Sequence, residues 1–248
     1  EKEIIQASYN GAILIWSIAE LLRGDYKQYE FENVILPLVV LRRLDCVLSK
    51  TKEKVLEKFK QLKASLPSNV DMEQIISAPL QLEAGLSFYN TSEFDFPTLI
   101  NDAKNIDKNF KNYINGFSSN MREIIEMFEF SKEIEKLHSK NLLYKVINRF
   151  TTDIDLSPEK VSNHDMGSIY EELIRKFAEQ ANETAGEHYT PREVIKLIVS
   201  ILFSANQDFL KHQEGRIISI YDCACGTGGM LTTGKEHIET NISNKINV

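Results

Sequence analysis

Apolar residues recur along most of this chain at helical spacing. Ile5, Ile13, Trp16 and Leu21 stand among small and polar residues over 5–22, and Gly24 and Asp25 close that segment. Val34 to Leu44 is a denser apolar stretch with Pro37 inside it. A proline suits the first helical turn, where its missing N–H has no partner to lose, so a helix is predicted to start near Pro37. Leu48, Val55, Phe59, Leu62 and Leu66 continue the spacing. They predict one long helix running on through Lys63 and ending at Pro67 and Ser68. Residues 68–117 are less regular, punctuated by Pro79, Gly85, Asn90, Pro97 and Gly116. Ile124, Ile125, Phe128, Ile134, Leu137 and Val146 then form one broad stripe. They predict a second long helix from Met121 to Phe150. Trp16 and the aromatic residues at helical spacing read as core.

The run Thr151 to Asp155, with Ser157–Pro158, reads as a boundary. A helix over Met166 to Ala181 is expected beyond it, and then a loop, Asn182 to Thr190. The next helix is sharply specified. Thr190 suits the N-cap, Pro191 the first helical position, and Glu193 completes a capping box. Val194, Leu197, Ile198, Ile201 and Leu202 supply its stripe. Arg216 to Tyr221 reads as a short buried strand. It runs into Asp222 and the turn Gly226–Thr227–Gly228–Gly229, with a helix expected over Met230 to Ile238. The fold expected is α/β overall: an all-helical domain over 1–155, then the opening of a second domain over 156–248. The chain begins at Glu1 and ends in a polar tail, and is read as a piece of a longer protein.

Composition narrows the classes. Apolar residues at 42% and charged residues at 26% suit a globular chain that buries a core. Cys46, Cys223 and Cys225 cannot make a disulfide framework, which points to a reducing, cytoplasmic compartment. No apolar run reaches the ~18 residues of a membrane span, and no signal-peptide pattern opens the chain. With 29 basic and 36 acidic residues the net charge is −7. That excludes coating nucleic acid by bulk charge, but not contact through a local patch or a partner.

The glycine turn carries the chemistry. After a buried strand, such a turn brings backbone close to a ligand and aims helix N-terminal N–H groups at it. Its spacing, G-x-G-G, is neither the dinucleotide fingerprint nor a P-loop. This disfavours a nicotinamide dehydrogenase. An acid at the strand end, Asp222, suits an ammonium. S-adenosylmethionine fits both features, its carboxylate facing the N–H groups and its ammonium facing the acid. By itself the turn is also an ordinary strand-to-helix connection. Gly186–Glu187–His188–Tyr189–Thr190–Pro191–Arg192–Glu193 adds a second loop, which a doubly wound sheet would place over the same crevice.

Together, G-E-H-Y-T-P-R-E-V and D-C-A-C-G-T-G-G-M-L resemble the modification subunit of type I restriction-modification systems. Ile15–Trp16–Ser17–Ile18–Ala19, Leu22 to Tyr26 and Val40 to Asp45 resemble that family's helical N-terminal domain. The resemblance implies a Rossmann-like, S-adenosylmethionine-dependent adenine-N6 DNA methyltransferase. It implies cofactor contacts from Glu187, His188, Tyr189, Thr190, Pro191 and Arg192. Asp222, Ala224, Gly226, Thr227, Gly228 and Gly229 would hold the methionine part. Cys223 stands where family members often have proline. The family's catalytic N-P-P-[FY] motif is absent, since no Asn-Pro or Pro-Pro pair occurs. The chain alone is therefore expected not to methylate DNA. The implied partners are DNA, a specificity subunit and a restriction subunit, with two copies of this chain per methyltransferase.

Two rival functions stay open. One is a methyltransferase acting on RNA or protein; the other is a non-catalytic assembly module. No metal site is expected, because C-x-C lacks two further ligands at zinc spacing. His188 suits a pocket wall better than a general base. Residues 42–63 hold eight basic residues against Asp45, Glu53 and Glu57. Arg42, Arg43, Lys50, Lys54 and Lys58 are candidates for contacts to a DNA backbone. A solvated helix face is the simpler reading of the same charges.

Overall fold

The structure is a computed structural model. It describes residues 11–65, 72–180, 190, 192–213, 215, 217–226, 228–242 and 246. It divides into two compact units, Glu1–Glu187 and His188–Val248.

The first unit is built around one helix. Residues 11–17 form a helical segment, α1, that tightens into a 3₁₀ turn over Ile18–Leu22. Gly24 follows with φ 94°, a left-handed turn that glycine takes without steric penalty. Lys27 N–H donates to the Glu30 carboxylate at 2.8 Å, and this turn feeds α2, Phe31–Leu48. α2 is buried on nearly every side, from Phe31, Val34 and Ile35 through Leu38, Leu41, Leu44 and Leu48. Such a helix is the centre of its domain. Its start lies six residues before the proline that was expected to open it. Pro37 sits in the interior of α2, where the lost hydrogen bond costs about 3 kcal/mol. Full burial of Phe31, Val34 and Ile35, at ~1.5–3 kcal/mol each, outweighs that.

The long helix expected through Lys63 is two helices. Ser49 Oγ donates to Cys46 O at 2.8 Å and Thr51 Oγ1 to Leu48 O at 3.3 Å. These hydroxyls compete for the last carbonyls of α2 and end it. α3 then runs Lys52–Ser65 and packs on α4, Met72–Ala84. Pro79 lies within α4 and does not interrupt it. α5 (Phe96–Leu99) is opened by Asp95, whose carboxylate accepts from Thr98 N–H at 2.8 Å. α6 follows at Ile106–Asn115.

The second long helix is three: α7 (Ser119–Met127), α8 (Phe130–Ser139) and α9 (Leu143–Thr152). The breaks fall at Glu129 (φ 49°) and Asn141 (φ 56°). At the second, Leu142 N–H reaches back to Leu137 O at 2.9 Å, closing a left-handed C-terminal turn around an asparagine. The breaks turn Ile134, Leu137, Val146, Ile147 and Phe150 into one core while leaving Ile124 48% exposed. Phe96, Phe110, Tyr113, Phe117 and Phe130 form the core's aromatic cluster, with centroids 5.2–6.2 Å apart and mostly edge-to-face. α10, Asn163–Gln180, closes the unit, burying Ile169, Leu173 and Phe177. Phe177 meets Trp16, which is half-buried, at 5.0 Å.

The second unit holds α11 (Arg192–Ala205), α12 (Gln207–Lys211) and α13 (Gly229–Asn241). α11 packs on α13 through Ile195, Val199 and Phe203. The stripe expected to be buried, Val194, Leu197, Ile198, Ile201 and Leu202, is instead 40–63% exposed. α11 therefore has two apolar faces, and periodicity alone selected the exposed one.

The expected strand is not formed among the described residues, which contain no strand at all. Arg216 lies outside them. The segment 217–221 has one bridge position, at Ile217, and no regular secondary structure after it. Ile218 and Ile220 pack onto the core of the unit, while Ile217 and Tyr221 are 83% and 89% exposed. A strand needs a neighbour for its N–H and C=O groups, and among the described residues none forms a ladder with this segment.

Candidate cofactor turn and basic helix face

The glycine turn follows directly from 217–221. Asp222 is half-buried, and its Oδ1 accepts from Ala224 N–H at 2.9 Å, folding 222–224 into a tight turn. Gly226 (φ 51°) and Gly228 (φ 80°) both take the left-handed conformation. Gly228 N–H donates to Cys225 O at 2.8 Å, and Gly228 O accepts from Thr232 N–H at 3.0 Å as the first bond of α13. A Cβ on Gly228 would meet nothing within 4 Å, so its glycine is required by φ rather than by crowding. Cys223, Ala224, Cys225 and Gly226 are exposed. The turn thus presents backbone to solvent beside a carboxylate, at a helix N-terminus. Asp222 Oδ2 takes no hydrogen bond among the described residues. This donor and acceptor set fits an amino-acid group carrying both charges.

The second expected loop cannot be placed against it. Glu187, His188, Tyr189, Pro191 and the turn's Thr227 lie outside the described residues. Thr190 is exposed, two residues before α11, and Arg192 is the first residue of that helix.

The basic run 42–63 separates into two groups that sequence treated as one. Arg42 is a core residue, its side chain 11% exposed. It donates to Asp45 Oδ2 at 2.9 Å, to Ile154 O at 2.9 Å and to Thr151 O at 3.4 Å. Asp45 Oδ1 accepts from Phe96 N–H at 3.2 Å. Burial pushes the Asp45 carboxyl up to about 6, against the opposing pull of that N–H and of Arg42. Arg43 donates to Leu156 O, Val161 O and Asn163 Oδ1 at 2.5–2.8 Å. Adjacent arginines on α2 therefore hold residues 151–163, the segment expected to be a boundary, against the helical core. Arg42 directs all three guanidinium nitrogens into the core, and Arg43 directs both of its terminal nitrogens to this segment.

The lysines differ again. Lys50 pairs with Glu159, Lys52 donates to Phe94 O, and Lys60 lies 3.1 Å from Glu93. Lys54 is exposed and Lys58 half-buried, both on α3. The signal that could have separated these groups is position. Arg42 and Arg43 stand inside the densest apolar stretch, where a charge is kept only with partners.

Among the described residues no helix is long and apolar enough to cross a membrane.

Comparison with known proteins places the chain. The HsdM N-terminal domain family matches residues 13–150, and the N-6 DNA Methylase family matches 161–248. The MjaIX type I restriction enzyme methylase subunit of Methanocaldococcus jannaschii is 24% identical over 91% of this chain and 39% of its own length. The EcoEI methylase subunit of Escherichia coli is 35% identical over 64% of this chain and 27% of its own. The chain thus spans well under half of these relatives. A crystal structure of a type I restriction-modification methyltransferase subunit from Streptococcus thermophilus shares the fold. Its TM-score is 0.65 at 20% identity, over 96% of this chain and 51% of that one. With more than half of its residues matched by one family, the chain belongs to the HsdM N-terminal domain family, and its remaining residues 161–248 match the N-6 DNA Methylase family.

Proposed function

We propose that the protein to which this chain belongs transfers a methyl group from S-adenosylmethionine to adenine N6 in DNA, as the modification subunit of a type I system. The observation that carries this reading is the turn Asp222 to Gly229, lying inside the N-6 DNA Methylase match and open to solvent. In it, N–H groups at the start of α13 face the cofactor's carboxylate and Asp222 faces its ammonium. Ala224, Gly226, Thr227, Gly228 and Gly229 let backbone approach, and Glu187 to Arg192 wall the pocket. When bound, S-adenosylmethionine supplies an electrophilic methyl group. The N-6 DNA Methylase match over 161–248 would open a Rossmann-like methyltransferase domain, with α10 packed in the helical unit rather than beyond the boundary expected at 155. The 248-residue chain holds no N-P-P-[FY] segment, so it binds cofactor without turnover. A specificity subunit, a restriction subunit and a second copy of this subunit complete the assembly in the cytoplasm.

Calorimetric titration of the chain with S-adenosylmethionine tests the pocket. Asp222→Ala should weaken binding by about tenfold or more, ~1.4 kcal/mol, because the ammonium loses its counter-charge and the turn its Ala224 bond. Equal affinity in both forms would remove Asp222 from the site. If neither form binds while both are folded by circular dichroism, the loops do not make a pocket in this chain.

Lys54 and Lys58 remain as contacts to a DNA backbone. Charge reversal of both in the assembled methyltransferase should weaken DNA binding. It should also reduce the slope of log affinity against log salt by roughly two. An unchanged slope would leave α3 as a solvated face.

A further inference from the structure

The glycine turn also carries two exposed thiols, Cys223 and Cys225, which the cofactor reading does not use. The third cysteine, Cys46, is buried, 8% exposed within the helical unit. Both exposed thiols belong to the hydrogen-bonded frame of the turn. They flank Ala224, whose N–H holds Asp222, and Cys225 O accepts from Gly228 N–H. Cα atoms two residues apart lie no more than about 7 Å from each other. A disulfide needs roughly 4.4–6.8 Å between Cα atoms, a span that this spacing can reach. The left-handed glycine at 226 gives the backbone room to close to it.

We propose that Cys223 and Cys225 are a peroxide-responsive thiol pair, closing to a disulfide that opens the turn and lowers cofactor affinity. One thiolate attacks an oxygen of hydrogen peroxide. The O–O bond breaks, hydroxide leaves and takes a proton, and a sulfenic acid remains. The second thiolate attacks that sulfur, its S–O bond breaks, and a second water leaves. Two thiols are oxidised and one peroxide is reduced to two waters. A low-molecular-weight dithiol reverses the step by exchange. The effect on cofactor rests on the proposed function; the thiol chemistry and the change in the turn do not.

The test uses the whole 248-residue chain, reduced and then treated with hydrogen peroxide. Peptide mass mapping should show loss of two hydrogens within the single peptide that carries both cysteines, with Cys46 still a thiol. Hydrogen exchange should show the Ala224 and Gly228 amides exchanging about tenfold faster, and dithiothreitol should restore both readouts. Cys223→Ser should show neither change. Sulfinic acid on one cysteine as the main product, disulfides between chains, or an internal disulfide with unchanged exchange would each overturn the proposal. Titration of reduced and oxidised chain with S-adenosylmethionine then reads the consequence, expected as an affinity loss of about tenfold that reduction reverses. A reduced chain that does not bind the cofactor removes the pocket from this chain, while mass and exchange still decide the thiol pair.

Discussion

Replacing Arg42 with methionine should cost the helical unit about 3–5 kcal/mol at pH 7, measured by urea unfolding. Methionine fills much of the same volume, so packing changes little. What is lost is charge and hydrogen bonding in a dry place. Asp45, its side chain 7% exposed, would lose its ion-pair partner and keep the Phe96 N–H and the Tyr113 hydroxyl, and the carbonyls of Ile154 and Thr151 would lose a donor. The pH dependence has a definite sign. The Asp45 carboxyl is already pushed up to about 6, above its ordinary value near 3.9. A group raised in the folded state contributes stability that is complete below about pH 4 and lost as pH rises through about 6. Removing Arg42 raises it further. The deficit of Arg42→Met should therefore be smallest near pH 5 and largest at pH 7 and above. The double variant Arg42→Met/Asp45→Asn removes the stranded charge but keeps an acceptor for Phe96 N–H. It should regain more than half of the loss at pH 7. A deficit below about 1 kcal/mol, or one that is the same at both pH values, would show that this pair is not what fixes residues 151–154 to α2.

A basic run next to an apolar stretch has the same spacing whether it faces phosphate or the backbone carbonyls of a distant segment. Residues 42 and 154 are far apart in sequence, and periodicity carries no information about such pairs. Helix existence was legible throughout 31–65 and 119–152, because apolar spacing there is strong. Helix ends were not. The breaks at Ser49–Thr51, Glu129 and Asn141 are made by hydroxyl-to-carbonyl bonds and left-handed residues, and only Asn141 carries a recognisable signal. Pro37 misled for the opposite reason, since tertiary burial of Phe31 to Ile35 overrode a strong local rule. At the glycine turn, local chemistry is nearly the whole determinant. Asp222, Gly226 and Gly228 do there what their residue types imply. The buried strand expected before it is not formed among the described residues, because a strand is completed by neighbours, and the apolar run alone does not supply them.

Gly116→Ala and Gly234→Ala should have different consequences, though the substitution is the same. At Gly116 the backbone is not in a glycine-only conformation, so the effect is one of space. A Cβ there would lie 2.5 Å from Asn90 Oδ1 and 2.6 Å from Ser92 N. Neither neighbour can yield cheaply. Asn90 is 6% exposed; its Oδ1 accepts from Ser92 N–H at 2.8 Å and its Nδ2 donates to Tyr113 O at 2.9 Å. Thr91 N–H also donates to Gly116 O at 2.8 Å, so the two segments are held together at the point of the clash. Separating them strains the packing and leaves buried polar groups short of partners, together about 3 kcal/mol. Gly234 lies inside α13, where a Cβ would meet Ile220 and Phe203 side chains at 3.4 Å, ordinary contact. Alanine there gains roughly 0.5–1 kcal/mol of helix propensity and a little apolar contact. Denaturant midpoints of the two units should therefore show a large drop for Gly116→Ala and no loss for Gly234→Ala. A Gly116→Ala protein within about 0.5 kcal/mol of the parent would mean that residues 90–92 can move off α6 without cost. The bond from Asn90 to Tyr113 would then be dispensable.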